Sequence, residues 1–239
     1  MRIIAVTNIK GGVGKTTTSV NLAYLCAAGG DRTVLWDLDP QGAASWIFHV
    51  AAGARDAALS DAVLPTAYAN LGVIPAEDPY AELDAKRAEV SSPTVRLLRM
   101  RRALAEHCDT LFMDCPPGIS LLSESVLRGA DALIVPLVPT PLSVRMLDQL
   151  VDYIAASGWT DLKLLPVFSM VDWRKSLHYE VVTTMRARFP QMLPMGIPYS
   201  SDIERVARRR APLNVFAPNS DPARLYQVLW EEVQQRVPR

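Results

Sequence analysis

Two lysines and three glycines crowd into the eight residues Lys10-Gly11-Gly12-Val13-Gly14-Lys15-Thr16-Thr17. Glycines carry no Cβ, so the backbone N–H groups of such a loop can converge on an anion. Lys15 is placed to reach the β and γ phosphates of a nucleoside triphosphate, the Thr16 hydroxyl to sit on Mg²⁺, and Thr17 to add a phosphate contact. The general pattern G-x-x-x-x-G-K-S/T is not met in full, because Ile9 stands where its first glycine belongs. Lys10 adds a second lysine that one bound anion does not need, unless there is a second site for it to serve. The plain alternative is a solvated lysine on an ordinary glycine turn.

Acids recur at the ends of apolar runs. Thr33-Val34-Leu35-Trp36 leads into Asp37-Leu38-Asp39, and Thr110-Leu111-Phe112-Met113 into Asp114. Carboxylates at the carboxyl ends of parallel strands lie where open α/β sheets bind their ligands. Asp37 and Asp39 could instead cap the following turn. Cys115 has no histidine neighbour and reads as a small buried residue rather than a nucleophile.

The elements that must hold these groups alternate. A strand over 3–8 precedes the glycine loop, and a helix over about 14–28 follows it and stops at Gly29-Gly30. Further strands are expected at 33–39, 70–76, 110–114, 132–138 and 163–171, with a helix over about 142–156. Ser91-Ser92-Pro93 resembles a helix start. The helix expected over 94–107 sets Arg96, Arg99, Arg101 and Arg102 against Leu97, Leu98 and Leu104, a solvated face over a buried one. The alanine-rich stretch 51–69 reads as variable surface. Strands alternating with helices imply an α/β fold: a mostly parallel sheet with helices on both faces.

Composition sets bounds. A chain of 239 residues with 49% hydrophobic residues supports a sizeable core, and a single domain over 1–239 is expected. Lys+Arg and Asp+Glu both number 25, so any attraction to a polyanion must be local. Cys26, Cys108 and Cys115 are odd in number and lack metal-ligand spacing, which fits a reducing cytoplasm. The most apolar later stretch, 132–144, contains three prolines and falls short of the roughly 18 residues a membrane span needs.

The run from Lys10 to Thr17 resembles the deviant Walker A phosphate loop of the ParA/MinD family of partition and positioning ATPases. The resemblance implies a P-loop NTPase that uses ATP and Mg²⁺. It implies that Lys10 reaches across a dimer to the phosphates of the other subunit. Asp37-Leu38-Asp39-Pro40-Gln41-Gly42 looks like the family's first switch, with Asp39 orienting water or holding the Mg²⁺ shell and Asp37 supporting it. Asp114-Cys115-Pro116-Pro117-Gly118 looks like the Walker B strand and second switch, with Asp114 holding Mg²⁺ through water. By the same resemblance Asp172 touches the adenine, though it could equally cap the helix starting near Ser176. The turn Met195-Gly196-Ile197-Pro198-Tyr199 borders the base through Pro198. Pro218-Asn219-Ser220 with Ala223 and Tyr226 matches the start of the family's last helix.

One departure stands out. Where the family usually carries Glu-Ala-Pro, this chain has Arg205-Val206-Ala207-Arg208-Arg209-Arg210, and residues 174–210 hold eight basic residues against three acids. DNA-binding members use arginines here to grip phosphates without reading sequence, which implies non-specific double-stranded DNA as a partner and association with the nucleoid. Arg205, Arg208, Arg209 and Arg210 are the candidate contacts, and Arg205 could instead pair with Asp202 or Glu204. The implied partners are a second copy in the ATP state and a ParB-like or other adaptor that stimulates hydrolysis. No helix-turn-helix is expected ahead of the phosphate loop. A MinD-like membrane ATPase and a P-loop small-molecule synthetase are the alternatives. The acidic pair Glu231-Glu232 in the last helix argues against stable membrane association.

Overall fold

The computed structural model describes residues 1–51, 62–76, 101–118, 126–159 and 161–238. Its core is one eight-stranded sheet of β1 (Arg2–Val6), β2 (Thr33–Asp37), β3 (Leu64–Pro65), β4 (Leu71–Ile74), β5 (Thr110–Asp114), β6 (Ala132–Leu137), β7 (Lys163–Val171) and β8 (Gly196–Pro198). The order across the sheet is β3-β4-β2-β5-β1-β6-β7-β8. Every pairing is parallel except β3 with β4 at one edge.

The central strands are buried on both faces, which is why they read as unbroken apolar runs. Ile4 and Val6 of β1 join Phe112 of β5 in one core cluster, while Ile3 and Ala5 join Leu111 and Met113 in the other. The alternation follows the two-residue period of a strand. Helix α1 (Lys15–Ala28) covers the first face beside the last helix, where the Phe112 and Trp230 rings lie 5.7 Å apart. Gly29 closes α1, its N–H donating to the Leu25 and Cys26 carbonyls. Further helices fully within the described residues are α2 (Ala43–Ile47), α3 (Pro141–Ala156), α4 (Ser176–Arg188), α5 (Ser201–Arg209), α6 (Leu213–Phe216) and α7 (Asp221–Arg236). Thr140 caps α3, and Ser220 caps α7 with Pro222 in its first turn.

Several expectations need correction, among them the strands expected over 3–8 and 70–76, which run Arg2–Val6 and Leu71–Ile74. The strand expected over 33–39 ends at Asp37, because the Asp39 carbonyl turns back to accept the Gly42 N–H at 2.8 Å. The turn expected at 195–199 contains the edge strand β8, parallel to β7. Within the supposed variable surface, Leu64 and Pro65 form β3. The helix start at 91–93 and the first part of the 94–107 helix lie outside the described residues. Residues 101–104 are helical, with Arg101 and Arg102 exposed and Leu104 buried. All three cysteines are free and buried.

A buried arginine fastens the first strand to the turn before β2 by an ion pair and to the end of the last helix by a hydrogen bond. Arg2 Nη2 lies 2.9 Å from Asp31 Oδ2, its Nε donates to Thr110 Oγ1 at 2.9 Å, and its Nη1 donates to the Val237 carbonyl at 2.9 Å. The guanidinium also stacks 5.0 Å from the centre of the Trp230 ring.

Candidate functional site

The register of the sheet brings the site together. Val6 pairs with Asp114, and Asp114 pairs with Asp37, so the phosphate loop leaves β1 level with two carboxylates at the ends of neighbouring strands. Asn8 fixes the departing chain: its Nδ2 donates to the Pro136 carbonyl at 2.6 Å, and its Oδ1 accepts the Lys10 N–H at 2.9 Å. Ile9, at the place of the missing first glycine, accepts the Gly118 N–H at 3.0 Å and so ties the loop to the Pro116-Pro117-Gly118 turn.

Gly12 and Gly14 take φ of 70° and 89°, a left-handed region that L-residues avoid. Gly14 has a second constraint, since a Cβ there would meet Ser169 Oγ at 3.0 Å. Ser169 lies on β7 beside Met170, whose φ is 55°, where the pairing with β8 shifts register. Sequence reasoning missed Ser169, because a lone serine in an apolar strand gives no signal of what it faces.

The two lysines of the loop are treated differently. Lys15 is 6% exposed, and its Nζ lies 3.4 Å from the Lys10 carbonyl. Burial lowers its pKa, opposed by the nearby Asp114 and Asp39 carboxylates. Lys10 is half-buried, and its ammonium makes no ion pair among the described residues.

The acids form a graded cluster. Asp114 is fully buried, and Ser19 Oγ donates to its Oδ1 at 3.0 Å. Its Oδ2 is buried and makes no hydrogen bond among the described residues, although the Thr16 hydroxyl is near enough to the carboxylate to oppose the rise in its pKa. Burial pushes the Asp114 pKa up to about 7, and the charges of Asp37 and Asp39 add to the rise. Ser19 was also missed, although it lies one helical turn beyond Lys15 and so shares its face. The Asp37 Oδ2 accepts the Ser45 N–H at 2.8 Å and the Ser45 hydroxyl at 2.7 Å. Its pKa is raised by burial, which the two Ser45 bonds oppose. Asp39 is half-buried, and its Oδ1 accepts the Gln41 N–H at 3.0 Å. The turn-capping role weighed for Asp37 and Asp39 is therefore present in both. These residues fit Mg²⁺ and a triphosphate. An orphaned carboxylate oxygen at the strand end offers a place for the cation shell, and left-handed glycines present N–H groups to phosphate.

Asp172 and Pro198 are neighbours, because Val171 pairs with Pro198 at the ends of β7 and β8. The Asp172 carboxylate binds Arg174, with Oδ1 2.8 Å from Nε and Oδ2 3.0 Å from Nη2, and this pair holds its pKa down to about 2. Asp172 also accepts the Arg174 N–H at 3.2 Å, so it caps the turn before α4.

The basic face is narrower than the sequence suggests. Arg174 pairs with Asp172, Arg188 with Asp148 and Arg205 with Asp202, while Arg186 donates to the Pro194 carbonyl. Arg210 turns away and stacks on Trp46, with Nε donating to the Trp46 carbonyl at 2.8 Å. Arg208 and Arg209, exposed in the last turn of α5, make no ion pair among the described residues.

The last helix spends its apolar face on the core, with Tyr226, Leu229, Trp230 and Val233 buried. No helix among the described residues is long and apolar enough to cross a membrane.

Residues 1–158 match a family model described as an AAA domain. The sporulation initiation inhibitor protein Soj of Bacillus subtilis is 32% identical over 97% of this chain and 98% of its own length. The septum site-determining protein MinD of Pyrococcus horikoshii, solved with Mg-ADP, superposes with a TM-score of 0.80 at 22% identity, covering 98% of this chain and 96% of that one. McdA of Cyanothece, solved with ATP, gives 0.81 at 19% identity over 98% and 95% of the two chains. With this sheet order, this deviant phosphate loop and full-length similarity to Soj, the chain belongs to the ParA/MinD family of Mg²⁺-dependent positioning ATPases.

Proposed function

We propose that the chain acts as one ATPase domain over residues 1–239 and works as a nucleotide-timed DNA rider that positions a cargo. ATP is held by Gly11, Gly12, Val13, Gly14, Lys15, Thr16 and Thr17, with Asp172 and Pro198 beside the base. Thr16, Asp39 and Asp114 would hold the cation, and Asp37 braces Asp39 and α2. Mg²⁺, when bound, neutralises charge on the β and γ phosphates. Asp39 orients the water that attacks. A second copy closes over the nucleotide and presents its Lys10, and the closed pair binds duplex DNA through Arg208 and Arg209. Arg205 joins them by leaving Asp202, since an exposed pair of this kind is worth only about 0.2–1 kcal/mol. An adaptor of the ParB kind stimulates hydrolysis and releases the DNA.

The observation that carries this reading is the division of labour between the lysines: Lys15 is turned inward against the acids, and the half-buried Lys10 makes no ion pair among the described residues. The burial of the apolar face of α7 favours DNA over a membrane as the surface that is visited.

The test is retention on non-specific duplex DNA with ATP, ADP or no nucleotide across a salt series, with an Arg208→Glu/Arg209→Glu variant alongside. Retention only with ATP, weakened by salt and lost in the variant, is expected. Intact ATPase activity with no retention in any state would overturn the DNA role, and binding to anionic liposomes would then decide for the membrane alternative.

A further inference from the structure

Trp46 is 56% exposed on α2, and one side chain lies across it. The guanidinium carbon of Arg210 sits 3.8 Å from the centre of the Trp46 ring while its Nε donates to the Trp46 carbonyl. Arg210 ends α5 with a φ of 50°, the left-handed conformation in which helices commonly close. The Arg210 N–H donates to the Ala207 carbonyl at 3.3 Å and the Ala211 N–H to the Val206 carbonyl at 3.4 Å, closing the helix so that the Arg210 side chain leaves it toward Trp46. Beneath them, Val206 anchors α5 in the core.

Trp46 follows directly on Ser45, whose N–H and hydroxyl both bind Asp37 and whose Oγ accepts the Ala76 N–H at 3.1 Å. Asp37 stands in register with Asp114. An unbroken run of contacts therefore joins the acidic strand ends to α5, passing from Asp37 to Ser45, Trp46 and Arg210. It ends beside Arg208 and Arg209.

We propose that Trp46 and Arg210 form the link that passes the nucleotide state to the arginine end of α5, so that Arg210 is a positioning residue rather than a DNA contact. The proposal rests on the DNA-binding reading above and supplies a physical carrier for its ATP dependence. α2 follows its left-handed N-cap Gly42 directly after Asp37-Leu38-Asp39-Pro40-Gln41, so a rearrangement of that acidic segment on nucleotide binding would carry Trp46 with it. Only arginine can follow it, because the planar fork stacks and donates at once, whereas the lysine ammonium is a point charge on a flexible stem.

Lysine therefore separates the two roles. Four variants are compared with the parent chain: Trp46→Ala, Arg210→Ala, Arg210→Lys and the double Trp46→Ala/Arg210→Ala. The first readout is the ratio of duplex DNA affinities with a non-hydrolysable ATP analogue and with ADP, both with Mg²⁺. Each single variant is expected to lower this ratio about five- to tenfold, from loss of the stack in every case and, in the Arg210 variants, of the bond to the Trp46 backbone carbonyl as well. Arg210→Lys should behave like Arg210→Ala, and the double variant no worse than either single one. Trp46→Ala should keep its ATP affinity and its turnover without DNA. Wild-type behaviour of Arg210→Lys, or additive losses in the double variant, would make Arg210 a plain phosphate contact and overturn the link.

The second readout needs no DNA: amide hydrogen exchange of residues 201–209 with the analogue and with ADP. Protection that follows the nucleotide in the parent chain and not in Arg210→Lys upholds the link, even if the parent never binds DNA and the DNA reading falls. Exchange that ignores the nucleotide in the parent chain would sink the link whatever the DNA result.

Discussion

Asp114→Asn should make the nucleotide-free protein more stable while removing its Mg²⁺-dependent activity. Asp114 is fully buried, its Oδ2 makes no hydrogen bond among the described residues, and its pKa rises from the ordinary 3.8 to about 7. A rise of that size means that the charged form costs roughly 4 kcal/mol in the folded state above pH 7. Asn carries no charge and still accepts from Ser19, but its amide leaves a buried donor unpaired, at about 1–3 kcal/mol. The net gain at pH 8 is then about 2 kcal/mol, or roughly 4–8 °C in Tm for a chain of this size. The sign with pH follows from a folded pKa above the unfolded one. The wild-type penalty is full above pH 7, shrinks as pH falls through that value and is gone below 3.8. The advantage of the variant should accordingly fade to about zero near pH 5. The assay is thermal unfolding of both proteins from pH 5 to 8 without nucleotide or metal, repeated at pH 8 with Mg²⁺ and an ATP analogue. Added ligand should raise the wild-type Tm and not that of the variant. An equal Tm difference at pH 5 and pH 8, or a less stable variant at pH 8, would refute the account of a destabilising buried carboxylate.

Lys15→Gln should abolish nucleotide binding, read by titration calorimetry, whereas Lys10→Ala should bind ATP and fail to dimerise or turn over. ATP-dependent dimers of Lys10→Ala in light scattering would refute the cross-subunit role. Gly14→Ala should weaken ATP binding by about tenfold or more, since a left-handed alanine costs about 1–2 kcal/mol and its Cβ meets Ser169. Adding Ser169→Ala should recover only the steric part of the lost affinity. Asp31→Asn leaves Arg2 charged and buried without its carboxylate, so unfolding should be easier by about 3–5 kcal/mol with ATP affinity unchanged in whatever protein remains folded. Chemical denaturation measures the first and calorimetry the second.

How much of this was legible beforehand depended on what kind of signal each feature leaves. The central strands and the loop showed in the sequence because burial on both faces forces long apolar runs and a phosphate loop forces glycines. Asp37 and Asp114 could be placed at strand ends, yet their side-by-side register came only from the sheet. β3 and β8 were hidden because two or three residues at an edge carry no periodicity. Ser19 and Ser169 were hidden because a buried serine looks like any small residue until its neighbour is known. The arginines were the opposite case. Their count was visible, but ion pairing and the stack on Trp46 decide which of them are available, and both depend on residues far away in the chain.

The fastening of Arg2 has a consequence for how the protein is made. Its guanidinium needs the carbonyl of Val237, 235 positions later, and β1 itself lies between strands that begin at residues 110 and 132. At about 5–20 residues per second, a ribosome delivers residue 237 on the order of 10–50 seconds after the phosphate loop. β1 waits for its two neighbouring strands through about the first half of that interval and for the last tie on Arg2 through all of it, open meanwhile to chaperones and to other nascent chains. ATP binding competence should thus appear late and abruptly during synthesis, once α7 has emerged and closed over β1.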